Sequence, residues 1–371
     1  MKRTLIASAF GCAAISALAQ SSVTIYGVAD AGAGRVENGD THSTQLMSGV
    51  ANGSRLGFKG IEDLGSGLNG IFVLENGFNV DNGTVTQGGV FFGRQSFVGL
   101  SSKSGWSLTA GRQNSPLANS MIAADPLNWQ YFGNTISTGL GVFESPGEGP
   151  ASPGWQSNSR VNNSVVGKYT HGPFSAELMY GFGNEDSKGA GKLWSTGVTY
   201  ASGPVMVTAA YGRSNQFAGS IVPGADPQSQ DQYLVGGSYD FKVVKVSSGY
   251  YKFTPSTANR TPGVPNAFDP RADNYATYWI GARVPLPVGV LLVNAMKSTH
   301  EYATVADGEG VTFGAAYEYS LSRRTALYAS YGQVVNNSTG LVSLTAAIPF
   351  IAPSKPGNNL SAYAVGIRHF F

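Results

Sequence analysis

Cysteine is nearly absent from this chain. The single one, Cys12, falls within the first 19 residues. A cross-linked small exported scaffold is thereby excluded. Charge is scarce as well: Asp, Glu, Lys and Arg make up 12% of the residues, about half the usual share of roughly 25%. With Lys2 and Arg3 set aside, basic and acidic residues balance at 22 each, so nothing points to nucleic acid or to a polybasic membrane patch. After residue 19 no apolar run approaches the roughly 20 residues of a spanning helix. Chemistry-bearing motifs are missing too. His42, His171, His300 and His369 are scattered without metal-ligand spacing. Gly191-Lys192 lacks the phosphate-loop pattern, and no Gly-x-Ser-x-Gly elbow follows a strand. The residues give no reason to expect an enzyme, a cofactor or a metal.

What is present begins with an export leader. Lys2 and Arg3 precede an apolar stretch from Leu5 to Leu18, and Ala17-Leu18-Ala19 offers a small-x-small cleavage site. The expected organisation is a signal peptide over residues 1–19 and one mature unit over 20–371. Cys12 lacks a lipoprotein context, because Ala9 stands where an aliphatic residue is wanted. Glycine is abundant, 50 of 371 residues, and aromatics reach 11% with 18 Tyr and 19 Phe. Aromatics at that level argue against disorder.

The apolar residues are spread at every second position, the period of a strand. From Phe174 to Phe182 one face carries Phe174, Ala176, Leu178, Tyr180 and Phe182, and the other Ser175, Glu177, Met179 and Gly181. The same two-sidedness runs through Trp194 to Ala201 and Val311 to Ser320, with aromatics at the ends of the apolar faces. Short turns such as Lys103-Ser104-Gly105 and Ser202-Gly203-Pro204 alternate with long connections, Asn114 to Ser159 and Asn336 to Asn359 among them. Short turns at one rim and long loops at the other predict an all-β, antiparallel up-and-down transmembrane barrel of about sixteen strands. Lipid cannot hydrate an unpaired strand edge, so the sheet must close. A β-sandwich or β-helix adhesin would also alternate, but with a charged outer face.

Several segments have a familiar form. Ser22-Val23-Thr24-Ile25-Tyr26-Gly27-Val28-Ala29-Asp30, Ser54-Arg55-Leu56-Gly57-Phe58-Lys59-Gly60, Phe92-Gly93-Arg94-Gln95-Ser96-Phe97, Gly111-Arg112-Gln113 and Tyr363 to Phe371 occur in this order along the chain. Together they resemble the general porins of Gram-negative bacteria, especially the β-proteobacterial and neisserial branch. The resemblance implies a homotrimeric outer-membrane pore, its third loop folded inward, passing small hydrophilic solutes and ions. A substrate-specific channel for an organic acid, amino acid or sugar stays open on the sequence.

Charged residues in mid-strand should face the lumen, since Arg or Lys at mid-bilayer costs about 2–4 kcal/mol. Alternation places Arg55 with Gly57 and Lys59, Arg94 with Ser96 and Val98, and Arg160 with Asn162, Ser164, Val166 and Lys168, with Asn163 the one misfit. The resemblance makes Arg55, Arg94, Arg160 and Lys59 a basic wall at the constriction, with Glu75 as an inner-wall acid tethering it. On the third loop it implies Asp125 as the opposing acid. Trp129 and Tyr131 are candidates for narrowing the opening, for lining an apolar track or for loop packing. One loop acid against three arginines predicts anion preference. Alternation groups Arg112 with Trp106, Leu108 and Ala110, facing outward, which makes it a candidate trimer contact, with a rim or pore role equally open. The terminal Phe371, with apolar or aromatic residues at alternate positions back to Tyr363, resembles the signal read by the barrel-assembly machinery. Membrane lipid, that machinery, two further protomers and the permeating solutes are the expected partners.

Overall fold

The structure is a computed structural model that describes residues 22–138, 159–183, 189–215, 226–256, 272–302 and 305–371. The expected leader, residues 1–19, lies outside the described residues. Along the chain come β1 (Ser22–Asn38), β2 (Thr41–Ser48), β3 (Arg55–Gly65), β4 (Leu68–Gly77), β5 (Gln95–Ser102) and β6 (Trp106–Asn114). Helix α1 (Pro116–Ala124) follows, then β7 (Arg160–His171), β8 (Phe174–Gly181), β9 (Leu193–Ser202), β10 (Val205–Asn215), β11 (Ser229–Asp240) and β12 (Lys245–Thr254). The chain ends with β13 (Ala272–Pro285), β14 (Val290–Tyr302), β15 (Gly308–Ser320), β16 (Thr325–Asn336), the short pair β17 (Leu344–Thr345) and β18 (Phe350–Ile351), and β19 (Leu360–Phe370).

All but β17 and β18 belong to one sheet of 17 segments, each paired antiparallel with its neighbours. β1 pairs through Ser22–Val28 with β3 and through Ala31–Asn38 with β2. β2 and β3 are thus two pieces of one stave, interrupted by residues 49–54, and the staves number sixteen. The ring closes where β1 meets β19, with Val28 opposite Phe370 and Asn38 opposite Leu360. Closure satisfies every edge that lipid would otherwise leave bare.

The alternation read from the sequence is the inside–outside alternation of this wall. Leu178, Val198 and Phe313 stand exposed on the outer face, while Met179, Ser195 and Thr312 are buried within. Trp106, Tyr169, Phe174, Tyr200, Tyr239 and Tyr319 stand exposed at the short-turn ends of their strands. A second aromatic row includes Tyr180 and Trp194, with ring centroids 4.5 Å apart. Trp194 and Tyr200 are separated by about 20 Å of strand, close to the apolar band of about 25 Å in membrane barrels. A hydrophobic sheath of this kind is stable against acyl chains and unstable in water. What the barrel buries lies inside it, in two clusters built with the loops, one around Leu127, Tyr131, Phe132 and Leu344 and the other around Leu117, Met121, Tyr251 and Trp279. A smaller third is formed by Val161, Val166, Met179 and Leu193 on β7 to β9.

Candidate functional site

The third loop leaves β6 and turns into the barrel. Ser115 caps α1, its Oγ accepting from Ala118 N at 3.1 Å, and Pro116 occupies the first turn, where its missing N–H costs nothing. The helix lies on the inner wall of β8 to β12. Leu117 N donates to Ser195 Oγ at 3.2 Å, and Trp279 Nε1 donates to Ala124 O at 3.1 Å. The loop then crosses β13 to β16. Asn294 Nδ2 donates to Gly133 O, Phe132 N to Ser330 Oγ and Tyr131 N to Val50 O, all at 2.9–3.0 Å.

Glycines mark this path. A β-carbon on Gly197, Gly236, Gly281, Gly314 or Gly332 would fall within 3 Å of a loop atom, from Ser120, Ala124, Pro126, Phe132 and Phe132 again respectively. Strand glycines often mark such close approach. Alternation alone does not announce this track. Its signal was there: each glycine lies on the face opposite the exposed apolar residues.

Asp125 corrects an expectation. It is fully enclosed at the end of α1 and faces its own loop. Its carboxylate accepts from Leu127 N (2.8 Å), Trp129 N (3.0 Å), Thr135 N (3.0 Å) and Thr135 Oγ1 (2.8 Å). Burial pushes its carboxyl above the usual carboxylate range, against the pull of these four donors. These bonds hold a strained turn in which Asn128, Trp129 and Tyr131 all have φ of 52–61°, a region costing an L-residue about 1–2 kcal/mol. Tyr131 is also fully buried, its hydroxyl donating to Glu318 Oε2 at 2.6 Å. It anchors the loop and does not line an opening. Trp129 is half-buried against the Tyr251–Trp279 cluster, its indole N–H donating to Thr135 Oγ1 at 3.1 Å. Asp125→Ala should loosen the loop, at about 1–3 kcal/mol for the stranded donors. Single-channel recordings should show higher, noisier conductance with the sign of ion preference unchanged. A sharper anion preference at unchanged conductance would instead place the carboxylate in the lumen.

The wall of β3 to β7, which residues 116–138 leave uncovered, carries the basic groups. Glu75 on β4 is buried. Its Oε1 lies 2.6 Å from Arg94 Nε and 3.9 Å from Arg55 Nη1, and its Oε2 accepts from Tyr26 Oη at 2.8 Å. Arg160, half-buried at the head of β7, lies within electrostatic reach of Arg94, Arg112, Glu75 and Arg55. Lys59 sits four residues along β3 from Arg55, its ammonium 5.3 Å from the Tyr26 ring centroid. Arg94 reaches the cluster by a route alternation did not give. It lies in the turn before β5, and Val98, placed beside it by parity, is 64% exposed on the outer face.

Arg112 corrects a second expectation. It is 7% exposed, with Nε donating to Gly93 O at 2.7 Å and Nη1 to Asn162 Oδ1 at 2.6 Å. The β6–β7 pairing slips between Gly111 and Gln113, Gly111 has φ +136° and Asn163 has φ +47°. This bulge breaks the parity on which the outward reading of Arg112 rested. It also accounts for the misfit Asn163 and turns Val161 inward, 2% exposed. Arg112 joins the basic cluster and does not stand open on the outer surface.

A second polar cluster was missed. At the closure seam Asp30, fully buried, accepts from Tyr328 Oη (2.9 Å) and Asn52 N (3.0 Å). Arg368 donates to Asn52 Oδ1 (2.9 Å) and pairs with Glu318 (2.7 Å), the carboxylate that also holds Tyr131. The rule that mid-strand charges face inward would have found Asp30, Glu318 and Arg368. Among the described residues no three His, Cys, Asp or Glu are placed to hold a metal ion.

Known proteins share this architecture. The anion-selective porin from Comamonas acidovorans superposes with a TM-score of 0.77 at 23% identity, covering 95% of this chain and 100% of that one. OmpT of Vibrio cholerae gives 0.67 at 17% identity, over 97% and 100%. In sequence, an outer membrane porin of Bordetella pertussis is 30% identical across the full length of both chains. Outer membrane porin protein 32 of Delftia acidovorans is 28% identical, again end to end. The family model for Gram-negative porins matches residues 4–339. With a closed sixteen-stave wall, a lipid-suited exterior and full-length kinship to outer-membrane channels, the chain belongs to the Gram-negative porin family.

Proposed function

We propose that this outer-membrane channel passes small hydrophilic solutes by passive diffusion and prefers anions. One observation carries the preference. The β3–β7 wall gathers Arg55, Arg94, Arg112 and Arg160 around the single carboxylate of Glu75, and the loop acid expected to oppose them, Asp125, is sealed inside its own turn. The described constriction therefore holds a positive excess. Charge at the narrowest point sets ion selectivity in such pores. A relative of the same fold described as anion-selective supports the reading. Reversal potentials of the reconstituted protein under a KCl gradient test it: chloride should be favoured, and a clear potassium preference would overturn it.

The same reading takes the assembled protein as a homotrimer in the outer membrane, its chain delivered by a leader at residues 1–19 and folded by the barrel-assembly machinery. Phe371 is the proposed signal, with Tyr363 at the far end of the same alternating, exposed row. Phe371 N and O bond Gly27 O and N, both at 3.1 Å, and its ring lies over Gly27. Deleting Phe371 removes both bonds. Heat-resistant oligomer in membrane fractions should fall several-fold, and unchanged assembly would remove this role from the residue.

A further inference from the structure

The connection from β16 to β19 also enters the barrel. Asn336 holds its start, accepting from Val342 N at 3.0 Å and donating to Val342 O at 3.1 Å. Val342 then lies on Gly310 and Leu344 on Gly332, both inner-wall glycines of β15 and β16. Val342, Leu344 and Ala346 are buried. The segment is tied to the third loop through Gly133 N to Thr345 O (3.0 Å) and Ser137 Oγ to Thr345 Oγ1 (2.8 Å). It doubles back at Ala346 N to Pro349 O (2.8 Å). Its tip bonds the break between β2 and β3, with Ile348 N donating to Gly49 O at 3.0 Å.

This seat brings an alkyl group beside the arginines. Ile348 Cδ1 and Arg94 Nη1 lie 2.9 and 3.1 Å from the same point, the position a β-carbon would take on Gly53. Ile348 is only half-buried there. Arg94 is itself buried and bound to Glu75. Arg55, with its side chain 24% exposed, donates from Nε to Gly53 O at 3.1 Å. An accessible guanidinium and a partly exposed branched alkyl chain thus meet at Gly53 and form an amphipathic surface. The cation donates charge-assisted hydrogen bonds to a carboxylate, and the alkyl group offers an apolar body a place out of water. An inorganic anion can use only the first.

We propose that the final loop is a second constriction element whose Ile348 gives the arginine-lined opening an apolar jaw, so that small monocarboxylates with an apolar body are favoured there over inorganic anions. The proposal rests on the anion preference above. The full-length protein in planar bilayers tests it, with potassium benzoate and potassium chloride compared by bi-ionic reversal potentials. Ile348→Ser should lower the benzoate-to-chloride permeability ratio about threefold, the worth of roughly one lost methylene contact, and leave chloride-over-potassium preference unchanged. Ile348→Leu should keep the wild-type ratio. Leu344→Glu, which unseats the loop from Gly332, should raise KCl conductance and lose the benzoate preference together. A chloride-preferring wild type whose benzoate ratio is insensitive to Ile348→Ser overturns this proposal alone. A wild type that prefers potassium overturns the anion reading and this proposal with it.

Discussion

Replacing Arg55 and Arg160 together by glutamine is expected to cut the chloride-over-potassium permeability ratio at least about threefold at 0.1 M salt. The pair is chosen because Arg94 is locked to Glu75 at 2.6 Å and Arg112 holds the β4–β5 connection through Gly93. Removing either of those would disturb the wall as well as its charge. One unit charge about 6 Å from a permeating ion is worth roughly 0.7 kcal/mol in water, a factor of about three. The same charge repels potassium as much as it attracts chloride, so the ratio shifts about tenfold per charge before screening, and screening at 0.1 M lowers this toward the threefold floor. The Debye length shrinks from about 10 Å at 0.1 M to about 3 Å at 1 M, so the loss should be much smaller in concentrated salt. A loss of equal size at both concentrations would mean that the variant had changed the shape of the opening and not its field.

Gly332→Leu should enlarge the channel. A β-carbon there would stand 2.5 Å from Phe132 Cβ and 2.9 Å from Leu344 Cδ1, so both inward loops must move off the β16 wall. The strands themselves lose nothing, because the ladder hydrogen bonds of β16 are backbone groups. The expected result is a folded oligomer with unaltered β-sheet circular dichroism and single-channel conductance raised about twofold or more, since a pore's current is set at its narrowest section. Gly167→Val is the control. Its β-carbon would meet nothing within 4 Å, and conductance should stay at the wild-type value. Unchanged conductance in Gly332→Leu would show that the loops are not what narrows the lumen.

The wall was legible because its physics is local. Lipid outside and water inside impose a period of two, and each strand such as β8 or β15 records that period without reference to any other. The loops were not, because their course is set by contacts far away in sequence. Nothing near Tyr131 announces Glu318, and nothing near Thr345 announces Ser137. Asp125 was half-legible. Similarity gave its position, but the bonds to Leu127 N and Trp129 N are those of an Asp that turns its own backbone, and the following Pro126 fits that use. Arg112 failed for a sharper reason. Parity assumes an extended strand, and Gly111, at φ +136°, breaks it one residue before Arg112, where the β6–β7 pairing slips. Alternation over Val311 to Ser320 already sets Glu318 opposite the apolar face, and Asp30 and Arg368 needed only the same rule applied to β1 and β19.

The ring is fastened along the seam of β1 and β19, with Gly27 and Phe371 bonded at one end of it. No nascent fragment can therefore be sealed. Every stave can find its neighbour as it emerges, but until β19 is available the sheet has two bare margins. Closing it brings together positions 344 residues apart, and that loop entropy is recovered only at the final step. Chains that lack β19 should thus keep two bare margins and stay clients of chaperones and proteases.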